Sequence, residues 1–180
     1  MKREILDCLA GCDWDGIRRL AEKRKTILSL LFARTFDADK EIRWRAVEAL
    51  AAAASVWVKK DPAYVRDFCR RLLWALNDES GNIAWMAPQA LGAILAENHE
   101  ALPEFLAPLL GVLELEEENS VKENFAILGA LWAVNRIGPI HSSFAAQAAE
   151  RIRPYLQSLH PEIRSLAEEG MRRFAKSSDE

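Results

Sequence analysis

Cys8 and Cys12 are spaced i, i+4, which puts two thiols on one face of a helix. That arrangement can open a metal site or a redox pair. No third or fourth ligand stands nearby, and buried cysteine is common in cores. Their role is therefore read as structural. With Cys69 they form an odd set of three, expected to be reduced thiols. The three histidines, His99, His141 and His160, fall near helix ends or loops. His99 and His141 are spaced to share an edge of the fold, at a separation read as too long for one metal ion, whose ligands must lie near ~2 Å. There is no Gly-rich phosphate loop and no paired zinc-ligand motif. The expectation is a chain without a metal or cofactor, and not an enzyme.

Charge is the next candidate for chemistry. Residues 1–76 hold 16 Lys/Arg against 11 Asp/Glu, and residues 77–180 hold 8 against 16. Such a split bears on partners and association, not on fold. The basic end contains Arg18-Arg19-x-x-x-Lys23-Arg24-Lys25, which suits phosphates or the acidic half of a second copy docked head to tail. The alternative to self-association is a monomer. The acidic half contains Glu114-x-Glu116-Glu117-Glu118 at an expected helix C-terminus, where negative charge opposes the macrodipole. It reads first as a solvated turn and second as a surface for a basic partner.

The aromatic residues carry more information, because they recur. Residues 42–50 match residues 83–91 at a shift of 41: Ile42/Ile83, Trp44/Trp85, Ala46/Ala87, Ala49/Ala90 and Leu50/Leu91 are identical. A further shift of 40 returns Ile127, Ala130 and Leu131, and another 40 returns Ile163, Arg164, Leu166 and Ala167. The segments before them repeat too: Ile27, Leu31, Phe32 and Asp37 correspond to Phe68, Leu72, Leu73 and Asp78. Each unit thus holds two amphipathic helices. The expected pairs are 26–35 with 40–58, 62–76 with 82–98, 103–117 with 121–137, and 143–158 with 161–176. Residues 1–24 form an N-terminal cap of one or two helices. Asp61-Pro62 and His160-Pro161 mark helix starts. Ser120 with Glu123 has capping-box spacing, and Gly138-Pro139 is a firm stop. Pro88 either kinks its helix, if that helix begins near Asn82, or sits harmlessly in the first turn, if it begins near Trp85.

A period near 40 with two helices per period is the mark of HEAT-type repeats. The run Asp39-Lys40-Glu41-Ile42-Arg43-x-x-Ala46-x-x-Ala49-Leu50 resembles the second helix of a HEAT or phycobilisome-lyase-type HEAT repeat, and His160-Pro161-Glu162-Ile163-Arg164-x-x-Ala167 resembles it again. The segment 76–88 is similar to part of a small bacterial HEAT-repeat family. The resemblance implies an all-α, right-handed α-α superhelix of about four hairpins, residues 1–180 forming one repeat domain. It implies that Arg43 bonds near Asp37 or Asp39, and Arg164 near Glu162. It also implies that second helices line a concave face.

On a helical wheel at about 100° per residue, Trp44 lies nearly opposite the core direction set by Ala46, Ala49 and Leu50. Trp85, Phe125 and Ser165 take the same place in later units. The concave face is therefore expected to carry Trp44, Trp85 and Phe125 in a row, with Arg45 and Met86 beside them. Trp57, Trp74 and Trp132 are expected in the core, and Trp14 against the cap. Such a groove suits a helix or peptide of a protein partner. The leading expectation is a protein-binding scaffold. A nucleic-acid role is the runner-up, since Trp44, Trp85, Arg43 and Arg45 are similar in kind to the Trp-lined basic face of HEAT-type DNA alkylation-repair glycosylases. The acidic balance argues against it. A lyase or chaperone for a chromophore is implied only by the phycobilisome-lyase likeness. No apolar run spans a membrane, and the start lacks a signal-peptide core, so a cytoplasmic chain is expected.

Overall fold

A computed structural model describes residues 2–76, 86–114 and 121–177. Trp85, the acidic run at 116–118 and the pair Ser120 and Glu123 lie outside the residues whose side chains are described. Among the described residues the chain is helical throughout, with no strand. Helices α1 (Lys2–Ala10) and α2 (Trp14–Lys23) precede four pairs. The second members of these pairs are α4 (Lys40–Lys60), α6 (Ala87–Asn98), α8 (Val121–Ile137) and α10 (Pro161–Ser177). The first members are α3 (Ile27–Phe32), α5 (Pro62–Leu76), α7 (Leu106–Gly111) and α9 (Ser142–Ile152). The architecture is an all-α solenoid.

Three of the four first helices are shorter than their apolar pattern suggests. A 3-10 turn follows α3 (Ala33–Phe36), flanks α7 on both sides (Pro103–Phe105, Val112–Glu114) and follows α9 (Arg153–Gln157). Prolines 103, 108 and 154 supply no amide to an α-helical ladder, which favours these short pieces. The second helices are regular. Asp39 caps α4, accepting from the Glu41 amide at 2.8 Å. Asp61 closes α4 and opens α5, accepting from the Tyr64 amide at 3.1 Å. Pro88 lies in the first turn of α6, where its missing amide costs nothing.

The core runs between the first and second helices of each pair, and its central members are small. Ala46, Ala49 and the run from Ala51 to Ala54 are buried on several sides of α4. Ala87, Ala90 and Ala93 are buried on α6, and Ala130 and Ala133 on α8. Small side chains let backbones approach closely. At Gly92 a Cβ would stand 2.2 Å from Ala133 Cβ, so α6 and α8 meet there with room for hydrogen alone. At Gly129 a Cβ would meet Gln89 Oε1 at 2.7 Å and Pro88 Cγ at 2.9 Å.

The motif arginines clamp the turns through backbone oxygens, Arg43 at Asp37 as expected and Arg164 at Ser158 in place of Glu162. Arg43 donates to the Asp37 carbonyl at 2.8 Å and the Ala38 carbonyl at 3.2 Å. Arg164 donates to the Ser158 carbonyl at 2.7 Å, six residues back, as Arg43 does. Cys12, at φ 51°, occupies the left-handed position that ends α1. There the Asp13 amide reaches the Cys8 carbonyl (2.9 Å) and the Cys12 amide the Leu9 carbonyl (3.2 Å), the Schellman pattern.

Two outcomes follow from this packing. Gly92→Ala, which would stabilise an open helix by about 1 kcal/mol, is expected to destabilise this protein by about 1–3 kcal/mol in urea unfolding. Burial pushes the Cys69 thiol up to about 12, above its ordinary value of 9.0. Because the folded value is the raised one, the contribution is complete below pH 9 and is lost as pH rises toward 12. At neutral pH a thiol reagent should modify the exposed Cys12 rapidly and leave buried Cys69 unmodified until unfolding.

Candidate functional site

The four second helices run side by side, and their N-terminal halves enclose a groove of about 910 Å³. Lys40, Arg43 and Trp44 come from α4, Met86 and Gln89 from the start of α6, Phe125, Leu128 and Trp132 from α8, and Pro161, Glu162, Ser165 and Leu166 from α10. Thr35 and Phe36 of the turn after α3 complete one wall. Phe36 is half exposed and meets Phe32 edge-on at 5.5 Å. Gln89 is buried in the lining, and its Oε1 has no hydrogen-bond partner among the described residues.

Trp44, Met86 and Phe125 thus stand on one cavity, and Ser165 falls at the equivalent place on α10. Trp85 lies outside the described residues. Arg45 is a correction. It points away from the groove to the end of α1, where it donates to the carbonyls of Ala10 (2.8 Å) and Leu9 (3.3 Å) and pairs with Glu41 at 2.6 Å. The carbonyl ends of α1 attract a cation more strongly than an apolar groove does. The sequence put Arg45 beside Trp44 but did not show that α1 would lie against α4.

Trp132 is the residue that sequence reasoning missed. It was expected in the core because its neighbours are apolar. Instead it is half-buried in the groove wall, with its ring 5.2 Å from that of Trp44. The two tryptophans belong to units two repeats apart. They meet across α6, which lies between α4 and α8 and places Ala93 and Met86 against them. Val47, Ala51, Met86 and Ala93 are buried around the pair as a small cluster separate from the main core. Just past the pair, Arg136 of α8 forms a two-pronged ion pair with Glu48 of α4. One prong measures 2.7 Å, and the guanidinium lies 5.4 Å from the Trp132 ring centre. The hydrogen bond to Glu48 raises the Arg136 pKa against the opposing effect of burial. Together the tryptophan pair and the ion pair form a clasp between α4 and α8. The signal in the sequence was the i, i+4 spacing of Leu128, Trp132 and Arg136 on the face that also holds Phe125.

Trp74 is also corrected: it is 76% exposed on α5. Trp57 is half-buried between Tyr64 and Lys60. His99 and His141, expected to share an edge at a separation too long for one metal ion, have ring centres 5.3 Å apart, because stacked units bring equivalent helix ends together. His141 Nδ1 accepts from the Phe144 amide at 3.2 Å and caps α9. No group of three or more potential metal ligands occurs among the described residues. The basic cluster is largely paired within the chain: Arg18 with Asp15 (2.9 Å), Arg19 with Asp13 (3.3 Å) and Lys25 with Asp61 (2.5 Å). Glu114 pairs with Arg151. No helix among the described residues is long and apolar enough to cross a membrane.

The clasp is open to a direct measurement. A double-mutant cycle on Glu48→Gln and Arg136→Gln should give a coupling energy of about 1 kcal/mol in urea unfolding, reduced by salt because the pair is only partly buried. Additivity of the two variants would mean that the pair contributes nothing to the clasp.

No family model matches the sequence, and no curated protein matches it. Solved structures do. A designed armadillo repeat protein in complex with the peptide (KR)4 is 23% identical over 89% of this chain and 69% of its own, with a TM-score of 0.57. A second designed armadillo repeat protein is 22% identical, over 89% and 68%, with a TM-score of 0.53. A computationally designed armadillo repeat protein for modular peptide recognition is 21% identical over the same shares, with a TM-score of 0.56. At this identity the likeness is one of fold, and the chain folds as an armadillo-like helical solenoid.

Proposed function

We propose that this protein is a non-catalytic interaction scaffold that takes a short apolar segment of a partner protein in the groove of its second helices. One observation carries the reading. The groove gathers Phe36, Trp44, Phe125 and Trp132 with Met86, Leu128 and Leu166 around a volume of about 910 Å³. An aromatic and aliphatic cavity of that size suits one or two turns of a helix, or a few residues of peptide, anchored by large apolar side chains. The designed armadillo protein bound to (KR)4 is an example of peptide recognition on a similar fold. We read the repeats as two-helix, HEAT-like units within one domain, 1–180, because the period near 40 is set by helix pairs and the arginine clamp recurs at Arg43 and Arg164.

The clasp refines this reading. The contact of Trp44 with Trp132 across the face supports a short bound segment over a peptide that runs the length of all the repeats. Gln89 adds a polar feature to the lining, its carbonyl oxygen free to accept from a bound backbone amide after a small side-chain rotation.

The test uses a variant that fills the groove without touching the core. Ser165 is exposed and lines the cavity. Peptides selected from a display library for binding to the native protein should lose at least about tenfold in affinity for Ser165→Trp, a loss near 1.4 kcal/mol, while the unfolding midpoint stays unchanged. Selected peptides that bind Ser165→Trp as well as the native protein would place recognition elsewhere and end the groove reading.

A further inference from the structure

We infer that the partner segment is acidic beside its apolar anchor, and that Lys40 and Arg43 select it. This rests on the groove reading above. Among the described residues, the charged groups that line the groove are Lys40 and Arg43 on the α4 side and Glu162 on the α10 side. The other carboxylates at the start of α4 are engaged elsewhere. Asp37 accepts from Arg34 and from the Asp39 amide, Asp39 caps α4, and Glu41 pairs with Arg45. Among the described residues Arg43 meets backbone carbonyls and pairs with no carboxylate. Lys40 is exposed and has no ion-pair or hydrogen-bond partner among the described residues.

Helix ends reinforce this sign. The groove lies at the N-terminal ends of α4, α6 and α10, where partial positive charge collects. Glu162 sits in the first turn of α10, the place where that helix end offsets a carboxylate. Among the described residues the lip therefore carries two cations, both on the α4 side, against the one carboxylate of Glu162. Arg136 and Glu48, the next charged groups along the face, neutralise one another. A segment that puts apolar side chains against Trp44, Trp132 and Phe125 brings its flanking residues over Lys40 and Arg43, and carboxylates there meet complementary charge. A basic flank meets repulsion at the same place.

The experiment compares three synthetic amphipathic peptides with one common apolar face, flanked by glutamates, by lysines or by glutamines. Each is titrated calorimetrically into the full chain at low ionic strength. The glutamate peptide should bind about tenfold or more tightly than the lysine peptide, and the ratio should shrink as salt screens the lip. In Lys40→Glu, which changes an exposed side chain, the ratio should fall to about one or invert. Equal binding of all three peptides to the native protein, or tighter binding of the lysine peptide, would overturn the charge assignment and leave the apolar groove standing. An unchanged ratio in Lys40→Glu would overturn the role of the lip. Failure of all three peptides to bind would overturn the groove reading and this inference with it.

Discussion

The structure depends on how closely α6 can lie between α4 and α8. Gly92 against Ala133 permits that approach, and Gly129 permits it again beside Pro88 and Gln89. Helices normally pack 8–10 Å apart, the smaller separations belonging to small contact residues. Alanine and glycine along these three faces hold the stack at its tight limit. Across this packing α4 and α8 meet over α6 through Trp44 and Trp132, with Glu48 and Arg136 beside them. Larger residues at these positions would spread the units.

A second constraint fixes the orientation of the second helices. Each clamping arginine spans six residues to a turn carbonyl, and a guanidinium offers several donors in a rigid fork suited to such a task. Arg43 therefore holds the turn before α4 and at the same time presents positive charge to the groove. Its neighbour Arg45 serves another joint, that of α1 with α4. Charges that looked like free clusters in the sequence are mostly consumed in short-range pairs of this kind. Among the described residues, what remains unneutralised at the groove is small in number and therefore specific in direction.

The division of labour between local and distant residues explains which expectations held. Helix starts at Lys40, Pro62 and Pro161 were legible because capping and proline effects act over three or four residues. The positions of Trp44, Phe125 and Ser165 on one face were legible because 100° per residue fixes a helix's sides once its core stripe is known. Trp132 and Trp74 were misread because apolar neighbours in sequence say little about which element covers a side chain. Trp132 was claimed by a tryptophan two units away, and Trp74 by no other ring among those described. His99 and His141 share an edge, as their spacing of about one repeat implied, and lie closer than that spacing suggested. Stacking returns equivalent helix ends to within contact distance, so forty residues along the chain became one ring contact.

The sequence by itself determined the helices, their pairing in units near forty residues and the side of each second helix that faces away from the core. Those properties follow from periodicity, capping and side-chain volume, all local quantities. Only the tertiary structure decided which side chains meet in the groove, the diversion of Arg45 to α1 and the capture of Trp132 by Trp44. These depend on curvature, which accumulates from the small rotation between successive units. They depend also on which charges find partners in other helices. Neither quantity is written in any one segment of the chain, because both are sums over contacts between segments.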